Sequence, residues 1–597
     1  MNKSFFIKSY FYFFLNLIIL IFCLLAMNPA IAEVNLSFAL KGLDNAKAEN
    51  NALNRLTQTV QSLPKPLTPE NAENFYHHSE SIVADGIKPF GYFNPLIHSE
   101  LQKSGDHWQI SYEISPGSPT RIIATQIFYT GAGKNNPLLL KLLNPPNLKI
   151  QDIFISPIYE RYKQTLLNTA NDQGFIDAYF SQHEVLINKK EHTAVIKLTL
   201  DTGDKYYFGA VSFNKNPLNS HFLQRFVPFK SGDAYSTNQV EQLSSDLRDS
   251  GYFSSVNVVP HVEKPDPNHT IPVAVHLKAM PRQQYILGLG YGSDTGARAT
   301  LGSTWHYVNS YGHRFNTLLR LSHVQNTASA KYIIPGNNPL KDQYNINASL
   351  QTNNINQGSS TLKQLGLGYT FSAHNWQHSF ALSERIERYS IFNAPYQTSH
   401  LLLPSYQIDY MIRNNLLFPT EGQHFTVNVS GTSPALTSDT RLFQTTINEK
   451  WIHSFNTKNI ILLRGNLGYT SIHNLNLLPL SLNFFAGGLN SVRGYGYNNL
   501  GPGRYLAVAS AEYRYRVYKK WYATTFYDVG NAFNNIPQAP SGTLSSRIIS
   551  IYHLLYQGAG VGVVWDSPVG AMALSYAKEV NVTHQPGRIQ FDLGSNL

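Results

Sequence analysis

The sequence predicts two unlike parts: an α+β arm of three β-α-α-β-β modules, then a transmembrane antiparallel β-barrel of about 16 strands. Three observations carry this. The chain opens with an export-type leader, a glycine–aromatic pair recurs three times in the first half, and apolar and polar residues alternate from about Gln284 onward.

Residues 1–32 read as a signal peptide, with Lys3 and Lys8, an apolar run over 11–26, and a small-x-small cleavage site at Ala30-Ile31-Ala32. An uncleaved membrane anchor is the competing reading. Cys23 is the sole cysteine, and the preceding Leu20-Ile21-Phe22 lacks the small residue of a lipoprotein signal. The mature chain therefore has no disulfide and no thiolate metal site. Beyond Ala32 no run of 18 apolar residues follows, so no membrane helix is expected. An exported chain that enters a membrane without helices must close its strands into a barrel, because lipid satisfies no backbone group.

Composition agrees. Charged residues are 14% and aromatics 13%, with 36 Tyr and 33 Phe. Mean hydropathy is nonetheless −0.24, because the two classes interleave. The net charge of +10, lowered by two without the leader, suits anionic headgroups. No dense basic block with interleaved aromatics is present, which argues against nucleic acid as a partner.

The arm divides at 33–116, 117–203 and 204–283. Its repeat markers are Gly91-Tyr92-Phe93, Gly174-Phe175-Ile176 and Gly251-Tyr252-Phe253. Each reads as a helix stop, since glycine tolerates the left-handed backbone there. In the third copy Phe208, Val211 and Phe213 mark a strand, and Phe222, Leu223 and Phe226 a helix. Ser236 with Gln239 forms a capping box, and Val240, Leu243 and Leu247 line one helix face. Strands follow at Val256–Val258 and over 272–277. In the second copy Ser156-Pro157 opens a helix with face Ile158, Tyr162, Leu166 and Ala170, and strands follow at 180–188 and 193–201. In the first, Thr68-Pro69 opens a helix that Gly86 and Pro89 interrupt, and 108–114 closes the module. Three unrelated α/β domains are the alternative. The adjacent His77 and His78 point apart on a helix and make a poor metal site.

Residues 284–597 form the barrel. Phe425, Val427 and Val429 alternate with Thr426, Asn428 and Ser430, and Ile461, Leu463, Leu467 and Tyr469 with Arg464, Asn466 and Gly468. Tyr505, Ala507, Ala509, Ala511, Tyr513 and Tyr515 alternate with Ser510, Glu512, Arg514 and Arg516. A basic residue facing lipid at mid-bilayer costs about 2–4 kcal/mol, so the charged face looks into a wet lumen. A soluble β-sandwich would reverse the two faces.

Within the barrel, 484–502 reads FFAGGLNSVRGYGYNNLGP and holds one charge, Arg493. Farther on, Phe526, Asp528 and Gly530 share the lumenal phase of a strand with Tyr522 and Thr524. A guanidinium fork matches a carboxylate. Arg493 on an infolded loop would therefore meet Asp528, with Glu512 as the rival partner.

Val492, Arg493, Gly494 and Tyr495, the F-x-D-x-G strand and the repeat arm together resemble the BamA-like outer-membrane assembly and translocation superfamily, whose repeat module is the POTRA domain. Three such modules, with DTGARATLGSTWHYVNSYGHRF at 294–315 and FFAGGLNSVRGY, look most like its TamA branch. Two departures stand out: Gly503-Arg504 replaces a usual Gly-Gly pair, and RIQFDLGSNL ends without a terminal aromatic. The resemblance implies an outer-membrane barrel with its N-terminal domains in the periplasm. It implies a translocation and assembly module whose outer-membrane subunit helps insert or translocate autotransporter-type client proteins and supports phospholipid transport. A TamB-like inner-membrane-anchored protein would bind the POTRA arm, and clients and outer-membrane lipids would meet the barrel.

No motif requires chemistry. GAGVG at 558–562 lies in a strand pattern with no helix after it, unlike a nucleotide turn. A Ser-based lipase would need a triad that no motif announces. The expectation is a non-enzyme without cofactor or metal. The first strand, with Gly288, Gly290 and Gly292, and the last, with Phe591 and Leu593, would meet in a poorly paired seam, and an open edge can template an incoming strand. The alternative function is a two-partner-secretion-type pore that exports one cognate polypeptide.

The leader makes a direct prediction. The N-terminal sequence of protein extracted from membranes should begin at Glu33; a start before that residue would contradict cleavage after Ala32.

Overall fold

The computed structural model describes residues 33–263, 266–536, 552–568, 570–580 and 586–594, so the expected leader and Cys23 lie outside the described residues. The first module runs strand Asn35–Lys41, helices α1 (Ala46–Ser62) and α2 (Pro69–Ile87), then strands Leu96–Ser104 and His107–Ser115. The last strand is central: it runs parallel to the first and antiparallel to the second. A parallel pair cannot be joined by a tight turn, and the two helices supply the long crossover. The second module repeats this with Arg121–Thr130, α3 (Pro137–Leu140), α4 (Ser156–Asp172), Tyr179–Asn188 and a central Thr193–Asp201. The third has Tyr207–Phe213, α5 (Ser220–Gln224), α6 (Thr237–Asp249), Phe253–Pro260 and a central Thr270–Ala279. The β-α-α-β-β order is thus present three times.

Each central strand buries every second residue against its helices. These are Trp108, Ile110, Tyr112 and Ile114; Ala194, Ile196, Leu198 and Leu200; and Ile271, Val273, Val275 and Leu277. The repeated glycines have a backbone cause. Gly91, Gly174 and Gly251 have φ of 96°, 92° and 74°, a region that penalises any Cβ.

Three local readings change. Gly86 does not interrupt α2, which continues through it to Ile87. A Cβ at Gly86 would come 2.7 Å from Cα of Ala52, so the glycine marks where α1 and α2 touch. The buried face of α4 is Tyr159, Tyr162, Leu166 and Ala170, with Ile158 only partly covered. Helix α5 ends at Gln224, so Phe226 lies beyond it, yet its ring is still buried edge-on against Phe222.

From Gln283 the chain forms one sheet of sixteen antiparallel strands, Gln283–Gly292 first and Arg588–Gly594 last. In Tyr505–Tyr518 and Trp521–Phe533 the residues Ser510, Glu512, Arg514, Thr524, Phe526 and Asp528 are buried inside, while Tyr513, Tyr515, Trp521 and Tyr527 face outward. All ten residues of the first strand, Gly288, Gly290 and Gly292 among them, pair with Gly296–Trp305. The discontinuity lies on its other edge. Among the described residues no ladder joins the first and last strands. They touch where the Ser293 N–H donates to the Phe591 carbonyl at 3.2 Å and the Phe591 N–H to Ser293 Oγ at 3.3 Å.

The chain divides into two compact units, and helix α5, most of α6 and the barrel belong to one of them. In that unit Tyr252 donates to the Gly312 carbonyl at 2.6 Å, and Asn219 N–H to the Ser310 carbonyl at 2.9 Å. Arg225 donates to the carbonyls of Asn337 and Pro335. Two loops that join barrel strands at one end therefore grip the third module. Gly312 has φ of 75°, and a Cβ there would lie 2.3 Å from the Phe222 ring. Gly312→Val should accordingly loosen the grip, adding roughly 1–3 kcal/mol of overpacking to the left-handed strain. Hydrogen exchange of residues 219–226 should accelerate, and Phe222→Ala should relieve part of the effect. Unchanged exchange in Gly312→Val would contradict this packing.

Candidate functional site

The loop between strands Asn459–Ile472 and Tyr505–Tyr518 turns back into the barrel. Its segments Phe484–Ala486 and Leu500–Gly503 pair with each other, so the residues between them project as one finger. Val492 anchors the finger in a small apolar cluster with Ala486, Tyr495, Leu500 and Val508. Gly494 takes φ of 99° and backs onto Lys578 and Glu579. A Cβ at Gly558 would lie 1.9 Å from the Arg493 carbonyl oxygen, so only glycine lets the wall approach there.

Arg493 is buried at the tip, 6% exposed, and Asp528 is fully buried. Arg493 Nε donates to Asp528 Oδ2 at 2.7 Å and Nη2 to Oδ1 at 2.8 Å, while the Arg493 backbone N–H also reaches Oδ2 at 3.0 Å. Ser510 Oγ donates to Oδ1 at 2.6 Å. Four donors fill the roughly four lone-pair positions of a carboxylate. Nη1 turns the other way, to Glu512 Oε2 at 2.5 Å, and Glu512 in turn accepts from Arg514 Nε at 2.7 Å. The two acids that the sequence set up as rivals are both partners. The guanidinium also lies flat on Phe526, 3.4 Å from the ring centroid.

The charges face the lumen as the strand phase requires, and at this level the finger packs against them and buries Arg493, Glu512, Arg514 and Asp528. Arg464 completes the cluster, donating through Nη1 to the Leu489 carbonyl and through Nη2 to Ser510 Oγ. Strand phase placed Arg464 and Arg514 inside the barrel, but nothing in the sequence tied them to the loop. The finger also approaches the seam. Leu489 N–H donates to Asp294 Oδ2 at 2.6 Å, in the turn after the first strand. On the last strand, the Arg588 guanidinium comes within 3.6 Å of where a Cβ on Gly496 would sit. In the sequence Asp294 stood only as the first residue of the motif at 294–315, with no partner assigned to it.

With this geometry in view, comparison with known proteins is decisive for the family. The model of the Omp85 superfamily domain matches residues 289–596. The chain belongs to the Omp85 superfamily. Residues 206–279 match the POTRA model described as a surface antigen variable number repeat, and 37–116 match the model of TamA POTRA domain 1. This Omp85 protein is 21% identical over 515 residues to the outer membrane protein assembly factor BamA of Neisseria meningitidis, covering 74% of this chain. It spans 63% of the length of that relative. Over 113 residues, 19% of this chain and 14% of the relative, it is 35% identical to the chloroplastic outer envelope protein 80 of Arabidopsis thaliana. Its fold matches BamA of Haemophilus ducreyi lacking POTRA domains 1–3, with a TM-score of 0.64 and 19% identity over 80% of this chain and 99% of that one. As an Omp85 barrel with POTRA modules, the protein sits in the outer membrane with those modules in the periplasm.

Breaking a buried ion pair from one side costs on the order of 3–5 kcal/mol, and Arg493 and Asp528 are both buried. Arg493→Ala and Asp528→Ala should each lower the thermal midpoint of the barrel and open 484–503 to protease. The double variant should be little worse than the poorer single one. Arg493→Lys should recover only part, because an ammonium cannot span Asp528 and Glu512 together. Additive losses in the cycle would show that the two residues act independently.

Proposed function

We propose that this Omp85 protein is the outer-membrane subunit of a translocation and assembly module. It assists the insertion or translocation of autotransporter-type client proteins, supports phospholipid transport, and does so without covalent chemistry. The observation that carries the reading is the seam. Among the described residues the first and last strands share no ladder, and the buried finger donates from Leu489 N–H to Asp294 in the turn after the first strand. An unpaired edge offers backbone donors and acceptors that an incoming strand can take up. The TamA-type match of the first module supports this branch of the superfamily. On this reading the arm receives a TamB-like partner anchored in the inner membrane, and clients and outer-membrane lipids meet the barrel at the seam. A pore exporting one polypeptide through the lumen is the competing function. It would have to expel the finger and uncover Arg493, Asp528 and Glu512, a cost that opening the seam avoids. A TamB-like gene next to this one would favour assembly, whereas an adjacent gene for a large secreted adhesin would favour the pore.

The test uses the cysteine-poor chain itself. Ser293→Cys with Phe591→Cys places two thiols on residues whose backbones already hydrogen-bond. The oxidised protein should lose client assembly in cells, and reduction should restore it. Full activity with the seam locked would overturn the role of the seam.

A further inference from the structure

A cavity of about 520 Å³ lies between the first two modules, inside the compact unit that holds both. That volume falls within the roughly 300–1,000 Å³ of ligand sites in general. Phe90 closes it from the first module, and Leu142, Leu148, Ile155, Ile158 and Tyr162 from the second. Lys47, Lys141 and Arg161 also line it, each of them exposed. No carboxylate lines it, and among the described residues none of these three cations has an ion-pair partner. The charge is therefore of one sign and uncompensated, set on an apolar hollow. The start of α4 adds to it. Its N-cap is Ile155, which offers no side-chain acceptor, and its first turn holds no acid.

We propose that this cavity binds a single-chain lipid with an anionic phosphate headgroup, the acyl chain against the apolar wall and the phosphate among Lys47, Lys141 and Arg161. An acidic peptide would satisfy the charges equally well, but the wall argues against it. A buried peptide backbone must find partners for its N–H and C=O groups. Here Asn45 already accepts from the N–H groups of Lys47 and Ala48, and Thr165 already donates to the Arg161 carbonyl, which leaves the exposed Asn144 and Asn147 amides as the polar side chains open to a backbone. An acyl chain asks for no such partner, and each of its methylenes gains by leaving water for the apolar wall.

The test places the full chain in nanodiscs of zwitterionic phosphatidylcholine and adds lysophosphatidylglycerol carrying a photoreactive diazirine in its acyl chain. After irradiation the adducts are mapped by peptide mass spectrometry. Adducts should concentrate on residues 137–165 and around Phe90. The combined Lys47→Glu, Lys141→Glu, Arg161→Glu variant should lose about tenfold or more of that labelling, with barrel adducts unchanged. The milder Lys141→Gln, Arg161→Gln pair should lose part of it, with exchange of α1 and α4 as the fold control. Lysophosphatidylcholine with the same chain should label the site far less. Equal labelling by the two lipids, labelling indifferent to the charge variants, or displacement by an acidic peptide but not by unlabelled lysophosphatidylglycerol would each overturn the proposal.

Discussion

Much of the barrel's interior is arranged around one carboxylate. Asp528 is removed from water on a strand of the wall, and a buried charge of that kind persists only if every lone pair is taken up. Three of its four donors come from Arg493, two from the guanidinium and one from the backbone N–H. The acid therefore fixes the main chain of the loop as well as its side chain. Glu512 takes the remaining end of the guanidinium and hands the charge on to Arg514. The glycines at 494 and 558 follow from the same constraint, because the loop and the wall must approach to backbone distance for the fork to close.

Once the finger is held, its other contacts acquire a consequence. Leu489 and Gly496 reach toward opposite edges of the seam, at Asp294 and Arg588, while the cluster anchors the finger to strands that lie between them in sequence. The third module is joined to the same unit through Tyr252 and Arg225, whose partners are carbonyls in the loops at the opposite ends of their strands.

The sequence made much of this legible because two of its signals are strictly periodic. Alternation put Asp528, Glu512 and Arg464 inside the barrel without any knowledge of the loop, and the glycine–aromatic pairs located three modules by a backbone requirement. Tertiary contact was harder to read. Gly86 looked like a helix breaker because propensity is local, whereas its real role is contact with Ala52. The finger's share of the lumen was not legible either, because a period-two pattern says which way a side chain points but not what fills the space it points into. Asp294 was not distinguishable, since its partner is a backbone N–H nearly two hundred residues away.

The central claim is that the buried acid at 528 holds the loop folded inside the barrel. Hydrogen exchange of the intact protein in lipid nanodiscs tests it most directly, with Asp528→Asn as the comparison, because that change keeps the shape and removes the charge. The account predicts that residues 487–496 exchange about as slowly as strand Trp521–Phe533 in the unaltered protein. In Asp528→Asn they should exchange quickly, while α1 in the first module stays as protected as before. A loop that exchanges freely in the unaltered protein, or one whose protection survives the loss of the charge, would contradict it.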